Sequence, residues 1–294
     1  MKKVLAVIFV VFTALPQPLL GQETWILKSA EDNGPIPYAK ITEFESQLWT
    51  SSDLWGKFKL DLSTFPDHAR FNISVMGHAD TTVSVGMLRK NTVLLLRPSY
   101  VELAEYLVKS KRLEKHNIGD FDLPLSLSKK EGQKADPRTT NRYAVYVDFP
   151  GKKNRILSRL HFYLTDRGDP DVKFTLRVLV SNEIKKPKEG RIYSIRQFKD
   201  IKSWPHSLYE SEGYGWTAID LSQNEIIIPG KYKGAFLIFD VVDEGRESQK
   251  SMVIPFQDKS RENLHAGFYQ TSGILGIYDW NSDHFAVVLE YLTE

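Results

Sequence analysis

Three aspartates in one short segment are the residues best suited to bind a metal ion. Asp166, Asp169 and Asp171 lie between two predicted strands, in a segment that also contains Gly168 and Pro170. Carboxylates at this spacing can wrap a hard cation such as calcium, which takes roughly six to eight oxygen ligands. Three aspartates are too few to complete that shell, and Asp, Gly and Pro are also ordinary residues of a hairpin turn. Calcium binding and a plain turn therefore both stay open, and no other cofactor is predicted.

A second group consists of aromatic side chains next to polar loops, which suits the binding of sugars. Its members are Trp204, Tyr209, Tyr214, Trp216, Tyr278 and Trp280. Exposed aromatic rings can stack on sugar rings, while neighbouring carboxylates and amides bond to the hydroxyl groups. The alternative is structural, because large aromatic residues such as Trp216 and Tyr278 often close the end of a core.

The sequence contains no common catalytic motif. None of the seven histidines has Glu three residues after it, so the zinc motif of metallocarboxypeptidases is missing. The His-Glu-x-x-His motif, the Gly-x-Ser-x-Gly of serine hydrolases and the Gly-x-x-x-x-Gly-Lys phosphate loop are also missing. We therefore predict a protein that is not an enzyme and has no catalytic residue. A hydrolase whose two carboxylates meet only in the folded chain is the alternative.

The first 21 residues have the features of a secretory signal peptide. A basic start with Lys2 and Lys3 precedes the apolar run 4–15, and Gly21 is a small residue suited to cleavage. The run is shorter than the ~20 apolar residues that a membrane-spanning helix needs. No cysteine follows it, so we predict a secreted protein that is not a lipoprotein. No later segment is apolar enough to predict a transmembrane helix.

The charge balance predicts no general attraction to polyanions. The whole chain has 39 basic and 37 acidic side chains, and loss of Lys2 and Lys3 with the signal peptide removes the excess. A neutral chain has no overall electrostatic reason to bind nucleic acid or anionic lipid. The chain also has no cysteine, so its stability must come from burial without disulfide bonds.

Alternating apolar residues predict short antiparallel strands from residue 22 to residue 98. Phe71, Ile73 and Val75 alternate with polar residues, and Val83 and Val85 show the same period of two. Turns rich in Asn, Asp, Gly and Pro separate these patterns. The continuous apolar run 92–96 predicts a strand that is buried on both faces. We expect residues 22–98 to form a small β-sandwich.

Residues 141–294 show the same alternation over longer segments. In the clearest one, from Val172 to Val180, every second residue is apolar. Turn residues separate most of these segments and long helical periodicity is absent, which predicts a larger, jelly-roll-like β-sandwich. Residues 99–140 are expected to connect the two units as a strand or short helix followed by a mobile loop. The predicted fold class is all-β, with two sandwich domains.

Four motifs in the first unit resemble the carboxypeptidase regulatory-like domain. Residues 33–41 are similar to the family's NGEPLPGATV opening, residues 52–58 to its TDxxGxF turn and residues 74–78 to its SxxGY motif. The closing run 93–98 fits the family's final strand. The departures are Tyr38 in place of Gly and His78 in place of Tyr. The resemblance implies a transthyretin-like, Ig-like β-sandwich that is not itself the peptidase and that has a structural or docking role.

The same resemblance predicts where the protein works and what it does. The domain often occurs in envelope proteins of Gram-negative bacteria, so we expect the periplasm or the cell surface. Residues 141–294 resemble a second β-sandwich of exported proteins, which brings no activity with it. We predict a non-catalytic envelope protein that binds a glycan or a partner protein. A purely structural accessory of an outer-membrane complex is the alternative.

Overall fold

The structure, a computed structural model, is 53% strand and 5% helix, which confirms the predicted all-β class. It describes residues 23–46, 48–101, 113–122, 125–126, 142–184, 188, 190–201, 208–211, 213–224, 226–242, 252, 254–257, 263–270, 274–277 and 284–293. The predicted signal peptide and most of the connecting segment 99–140 lie outside these ranges. Within them, no helix is long and apolar enough to cross a membrane.

Seven of the described strands belong to the first part of the chain. They are β1 (Glu23–Ser29), β2 (Lys40–Glu43), β3 (Trp49–Ser51), β4 (Lys57–Leu60), β5 (Arg70–Ser74), β6 (Thr81–Ser84) and β7 (Val93–Leu96). One sheet has the order β4-β1-β7, and a second sheet has the order β3-β2-β5-β6. Apolar side chains from both sheets form one core, which includes Trp25, Phe58, Ile41 and Phe71.

Trp25 is a large, fully buried residue of this first core. Its ring stacks on Phe58 with 5.6 Å between the ring centroids. The indole Nε1 donates a hydrogen bond of 3.0 Å to the backbone carbonyl of Leu88. The bond satisfies the single polar atom that burial of the ring would otherwise leave without a partner.

The short helix α1 (Val85–Leu88) replaces part of a predicted strand. The period of two at Val83 and Val85 predicts one continuous strand, but β6 ends at Ser84. The Ser84 hydroxyl accepts a hydrogen bond from the backbone N–H of Met87 and caps a helical turn. The helix brings the carbonyl of Leu88 to Trp25. The local cap at Ser84 and the hydrogen bond in the core therefore both favour a helical turn here.

The prediction of complete burial for the run 92–96 was wrong. β7 lies at the edge of the sheet β4-β1-β7, where its side chains alternate between the two faces. Leu94 and Leu96 enter the core, whereas Val93 and Leu95 are 45% and 56% exposed. The reason is that the core covers only one face of this sheet.

The remaining described strands follow residue 99. They are β8 (Tyr100–Val101), β9 (Glu114–Ile118), β10 (Leu125–Ser126), β11 (Arg142–Asp148), β12 (Arg155–Leu164), β13 (Lys173–Val180), β14 (Ile192–Ser194), β15 (Lys199–Ile201), β16 (Leu208–Glu210), β17 (Gly215–Asp220), β18 (Ile227–Ile228), β19 (Gly234–Val241), β20 (Phe256–Gln257), β21 (Leu264–Gln270), β22 (Ile274–Ile277), β23 (His284–Phe285) and β24 (Val287–Thr293). Short 3-10 turns occur at Ile195–Gln197 and Ser222–Asn224.

These strands form three sheets. The largest has the order β14-β22-β21-β11-β19-β13-β15-β8, with β16 also paired to β13. The second has the order β17-β12-β24-β9, with β18 also paired to β12, and a small third sheet has the order β10-β20-β23. The first two sheets enclose the main core, to which Phe162, Phe174, Phe239 and Leu289 contribute.

Alternation along the central strands gives the largest sheet two apolar faces. In β19, Leu237 and Phe239 enter the main core. Phe236 and Ile238, which point the other way, join Tyr193 and Phe198 in a separate cluster. The sheet is therefore covered on both faces, which explains why every residue of β19 is buried.

The outer face of the sheet β3-β2-β5-β6 is polar and nevertheless buried. Ile41 enters the first core, so its neighbours Lys40 and Thr42 must point to the opposite face. Lys40, Thr42, Trp49, Asn72 and Ser74 are all buried. Trp49 joins the main core of the later strands, with the Lys40 Nζ 4.2 Å from the centroid of its ring. The first part of the chain therefore packs against the later part through this polar face.

Six buried charges, called here the interface network, lie at this contact. They are Lys40, Asp80, Arg142, Arg177, Asp200 and Asp240. Arg177 on β13 donates two hydrogen bonds to Asp200, of 3.1 and 3.0 Å, and another of 2.6 Å to the Ser74 hydroxyl. Its Nη1 also lies 3.3 Å from an oxygen of Asp80. The three cations and three anions balance, as burial of charge requires.

Candidate ligand-binding face

The structure describes three of the six predicted aromatic site residues, and these three differ in how far they are exposed and in what they contact. Trp216 lies on β17 and is half-buried against the main core. Tyr214 precedes that strand and is 51% exposed. Tyr209 lies on β16, where its ring packs on Phe174 with 5.8 Å between centroids. Trp204, Tyr278 and Trp280 lie outside the described residues.

The aspartate segment and the aromatic segment are neighbours in the fold. The backbone N–H of Gly213 donates to the carbonyl of Pro170 at 3.0 Å, and the Ser211 hydroxyl donates to the same oxygen at 2.9 Å. The Tyr214 hydroxyl donates to the carbonyl of Gly168 at 3.2 Å. The two segments are separate in the sequence, and only the fold places them side by side.

The predicted calcium ligands lie in a turn between β12 and β13. The backbone N–H of Gly168 donates to the carbonyl of Thr165 at 3.3 Å, which closes the turn. Asp166, Asp169 and Asp171 all belong to this segment. Among the described residues, no three acidic, histidine or cysteine side chains are grouped so that they could hold a metal ion. Calcium binding stays a prediction.

Three strands and the segment that follows β9 place aromatic and charged side chains together on one outward face. In β12, Leu160, Phe162 and Leu164 enter the core, so His161 and Tyr163 point outward. Residues that pair across neighbouring strands lie on the same side of the sheet. Trp216 on β17 pairs with Tyr163, and Glu290 on β24 pairs with Arg159, so Trp216 and Glu290 also point outward. We call this surface the aromatic face and define it by Phe121, His161, Tyr163, Trp216 and Glu290.

Phe121 lies at the centre of the aromatic face, and the sequence reasoning did not identify it. Its ring meets Trp216 edge-on, with 4.9 Å between centroids and an interplanar angle of 72°. It also meets His161 edge-on at 5.0 Å. Tyr163 extends the cluster, 5.7 Å from Trp216. Phe121 is 40% exposed, so the cluster presents an aromatic surface to solvent.

A glycine allows the chain to bring Phe121 onto this face. Gly119 follows β9 and has φ +101°, a conformation that other residues rarely adopt. A Cβ atom at this position would lie 2.3 Å from the carbonyl oxygen of Val287. Both the backbone conformation and the close contact with β24 therefore require glycine here.

Glu290 supplies an ionised carboxylate beside the rings. One of its oxygens lies 2.8 Å from Lys115 Nζ, and the other lies 3.2 Å from His161 Nε2. The hydrogen bond from Lys115, together with that from His161, holds the pKa of Glu290 below its ordinary value despite the opposing effect of burial. The carboxylate is therefore negatively charged at neutral pH and can accept hydrogen bonds from a ligand.

This arrangement combines an aromatic surface with fixed hydrogen-bonding groups. Aromatic faces contact the apolar C–H side of a ring-shaped ligand, while charged groups such as Glu290 and Lys115 bond to its hydroxyls. Glu290 and His161 are separated by 129 positions in the chain. No local motif could have revealed their pairing, although His161 stands on the polar side of a recognisable alternating strand.

Comparisons with known proteins leave the family open. No protein-family model matches the chain, and no curated protein matches it. The cysteine protease and lectin-like domains of Cwp84, a surface layer associated protein of Clostridium difficile, align with 53% of this chain at 10% identity and a TM-score of 0.35. The VP2 subviral particle of infectious bursal disease virus aligns with 92% at 9% identity and a TM-score of 0.22. The chain spans 33% and 64% of these two structures, respectively.

Proposed function

We propose that the protein is a non-catalytic, exported binding module and that its aromatic face binds a glycan. The observation that carries this proposal is the partly exposed ring of Phe121, held by Trp216 and His161 next to the ionised Glu290. Stacking on the rings provides apolar contact, and the charged groups provide orientation. The segment that precedes Trp216 adds Tyr214, whose hydroxyl bonds to the carbonyl of Gly168.

The proposed architecture has a small scaffold sandwich and a larger binding sandwich. Its support is the separation of the first core, built by β1 to β7, from the main core between the two largest later sheets. The interface network couples the two units through buried, balanced charges. In this proposal residues 22–98 keep the docking or structural role that their resemblance to the regulatory-like domain implies.

A glycan array followed by titration calorimetry on the best ligand tests the proposal. Phe121→Ala and Tyr214→Ala each remove an exposed ring from the proposed site. We expect each change to weaken glycan binding by roughly three- to tenfold, which corresponds to about 0.5–1.5 kcal/mol for one aromatic contact. The melting temperature should stay close to that of the unchanged protein, because both side chains are partly exposed.

The matched control is Trp55→Ala, which removes a larger exposed ring from a turn in the first part of the chain. It should leave glycan binding unchanged. If Phe121→Ala binds every array glycan as tightly as the control does, the aromatic face is not the binding site, and the same result for Tyr214→Ala alone would exclude only the neighbouring segment.

A further inference from the structure

A second surface, separate from the aromatic face, lies on the sheet β4-β1-β7. Trp25, Leu27 and Phe58 enter the first core, so the alternate residues of these strands point away from it. We call this outward surface the lysine face. Its residues are Thr24, Ile26, Lys28, Lys57, Lys59, Val93 and Leu95.

The lysine face has an apolar centre. Val93 and Leu95 on the edge strand are about half exposed, and Ile26 beside Val93 is half-buried. Trp55 is 65% exposed in the turn that enters β4, two residues before Lys57. Exposed aliphatic side chains on adjacent strands form a contiguous apolar patch, and such patches mark interaction sites more often than isolated apolar residues do.

Within the three strands, every outward charge on this face is positive. Lys28, Lys57 and Lys59 flank the apolar centre, with Lys57 directly beside Ile26 in the strand register. The only carboxylate within the three strands is Glu23, which lies two residues before the inward Trp25, shares its side of the sheet and therefore does not belong to the outward set. The neutral charge balance of the whole chain thus conceals a local positive surface.

We propose that the lysine face docks the protein onto a membrane surface that carries anionic lipid headgroups. Lysine side chains can extend to bond with phosphates while Val93, Leu95 and Trp55 contact the boundary between headgroups and acyl chains. Tryptophan is enriched at this boundary because its ring is apolar and its N–H is polar. Charge complementarity favours this partner, because lysines from two neighbouring strands lie on the same side of the sheet as the exposed aliphatic side chains.

An acidic peptide added as a strand to β7 fits the charges less well. Strands in a sheet lie about 4.8 Å apart, so an added strand would be ~10 Å from β1 and ~14 Å from β4. Lys57 and Lys59 on β4 would then be too far away to form ion pairs with that strand. A planar anionic surface, in contrast, meets all three lysines at once.

Co-sedimentation of the full chain with vesicles tests this proposal. One vesicle preparation contains equal parts of phosphatidylcholine and phosphatidylglycerol, and the other contains phosphatidylcholine alone. We expect binding to the anionic vesicles that weakens with salt. Lys57→Gln/Lys59→Gln should weaken it by roughly thirtyfold, from about 1 kcal/mol for each lysine near an anionic surface.

One control variant matches the loss of the lysines, and another matches the loss of the exposed aliphatic side chains. Lys152→Gln/Lys188→Gln removes the same charge from exposed lysines in the later part of the chain and should bind the vesicles as the unchanged protein does. Val93→Ser/Leu95→Ser should weaken binding about tenfold, whereas Ile192→Ser, which alters another exposed aliphatic residue, should not. Every variant keeps the apolar residues 4–15, so the differences between variants report the lysine face.

Equal vesicle binding by the two double-lysine variants would overturn the proposal. So would normal vesicle binding by Val93→Ser/Leu95→Ser, because a purely electrostatic contact needs no apolar centre. If Lys57→Gln/Lys59→Gln loses binding to immobilised polyglutamate but keeps its binding to anionic vesicles, the partner is an acidic polypeptide and the membrane assignment is wrong.

Discussion

Replacement of Arg177 by Met tests how the buried charges stabilise the fold. Arg177 is 2% exposed and donates two hydrogen bonds to Asp200 and one to Ser74. Methionine has a similar length and no charge, so the change leaves the Asp200 carboxylate buried without its main partner. Loss of one member of a buried ion pair costs about 3–5 kcal/mol. The free energy of unfolding should fall by that amount.

The loss should depend on pH in a defined direction. Burial raises the pKa of Asp200, and Arg177 opposes that rise. Without the guanidinium, the pKa of Asp200 in the folded state should rise further above 3.8, the ordinary value. A raised pKa means that the folded protein holds this proton more tightly than the unfolded chain does, so falling pH favours folding. The destabilisation should therefore be largest near neutral pH and should shrink as the pH approaches ~4.

Urea unfolding at about pH 7 and about pH 4.5 measures both effects. The double variant Arg177→Met/Asp200→Asn should recover part of the lost stability near neutral pH, because it removes the orphaned charge as well. Arg89→Met is a matched control, since Arg89 also contacts an aspartate, Asp67, and bonds to the backbone carbonyls of Leu62 and Phe65, but with a side chain that is 41% exposed. It should cost about 1 kcal/mol or less.

If Arg177→Met lowered the free energy of unfolding no more than Arg89→Met does, the buried charges would not stabilise the fold as proposed. A loss of the same size at both pH values would refute the assignment of the effect to the Asp200 carboxylate. In that case the destabilisation would come from packing at the interface, which does not depend on protonation.

The remaining predictions concern single positions. Gly56→Ala should destabilise the fold by about 2–4 kcal/mol in urea unfolding, because φ is +72° and a Cβ would lie 2.5 Å from a backbone oxygen of β1. Gly151→Ala, at φ +76° with nothing within 4 Å, should cost only ~1 kcal/mol. Trp25→Phe should cost about 1–3 kcal/mol by thermal unfolding, since it removes the indole hydrogen bond to the Leu88 carbonyl and part of a fully buried ring, although that carbonyl keeps its bond from the Asn91 N–H. The pKa of Glu290 is lowered in the folded protein, so the ionised carboxylate stabilises the fold above pH 4.5, and this stabilisation is lost as the pH falls further. Glu290→Gln should therefore make the melting temperature less sensitive to acid.

Local sequence patterns correctly predicted the β class and many of the strands. Phe71 and Ile73 alternate with polar residues and enter the first core, and Phe174 to Val178 do the same in the main core. These predictions succeed because a strand exposes alternate residues to opposite faces whatever its neighbours are. Turn residues also carried information, as in the positive φ of Gly56.

The same patterns failed where a residue's environment depends on distant parts of the chain. Lys40 and Ser74 look like solvent-facing residues of small strands, but the later sheets bury them. Val93 and Leu95 look like core residues and are exposed, because their strand lies at an edge with one face uncovered. Polarity in sequence shows which residues need partners, not which surface will supply them.

The candidate site shows the same division. Trp216 and Tyr214 could be predicted as site residues from the sequence, because they are aromatic and stand beside a polar loop. Phe121 and Glu290 went unrecognised, because Phe121 meets Trp216 and Glu290 meets His161 only in the folded chain, across sequence separations that no local pattern spans.

The sequence by itself therefore determined the β class, the turns and the alternation of each strand, since these depend on residues close together in the chain. Tertiary structure alone decided which polar residues became a buried ion network, which apolar residues stayed exposed, and which side chains met on the aromatic face. The physical reason is that burial and electrostatic pairing depend on sheet order and on contacts between distant segments, and no local pattern contains either.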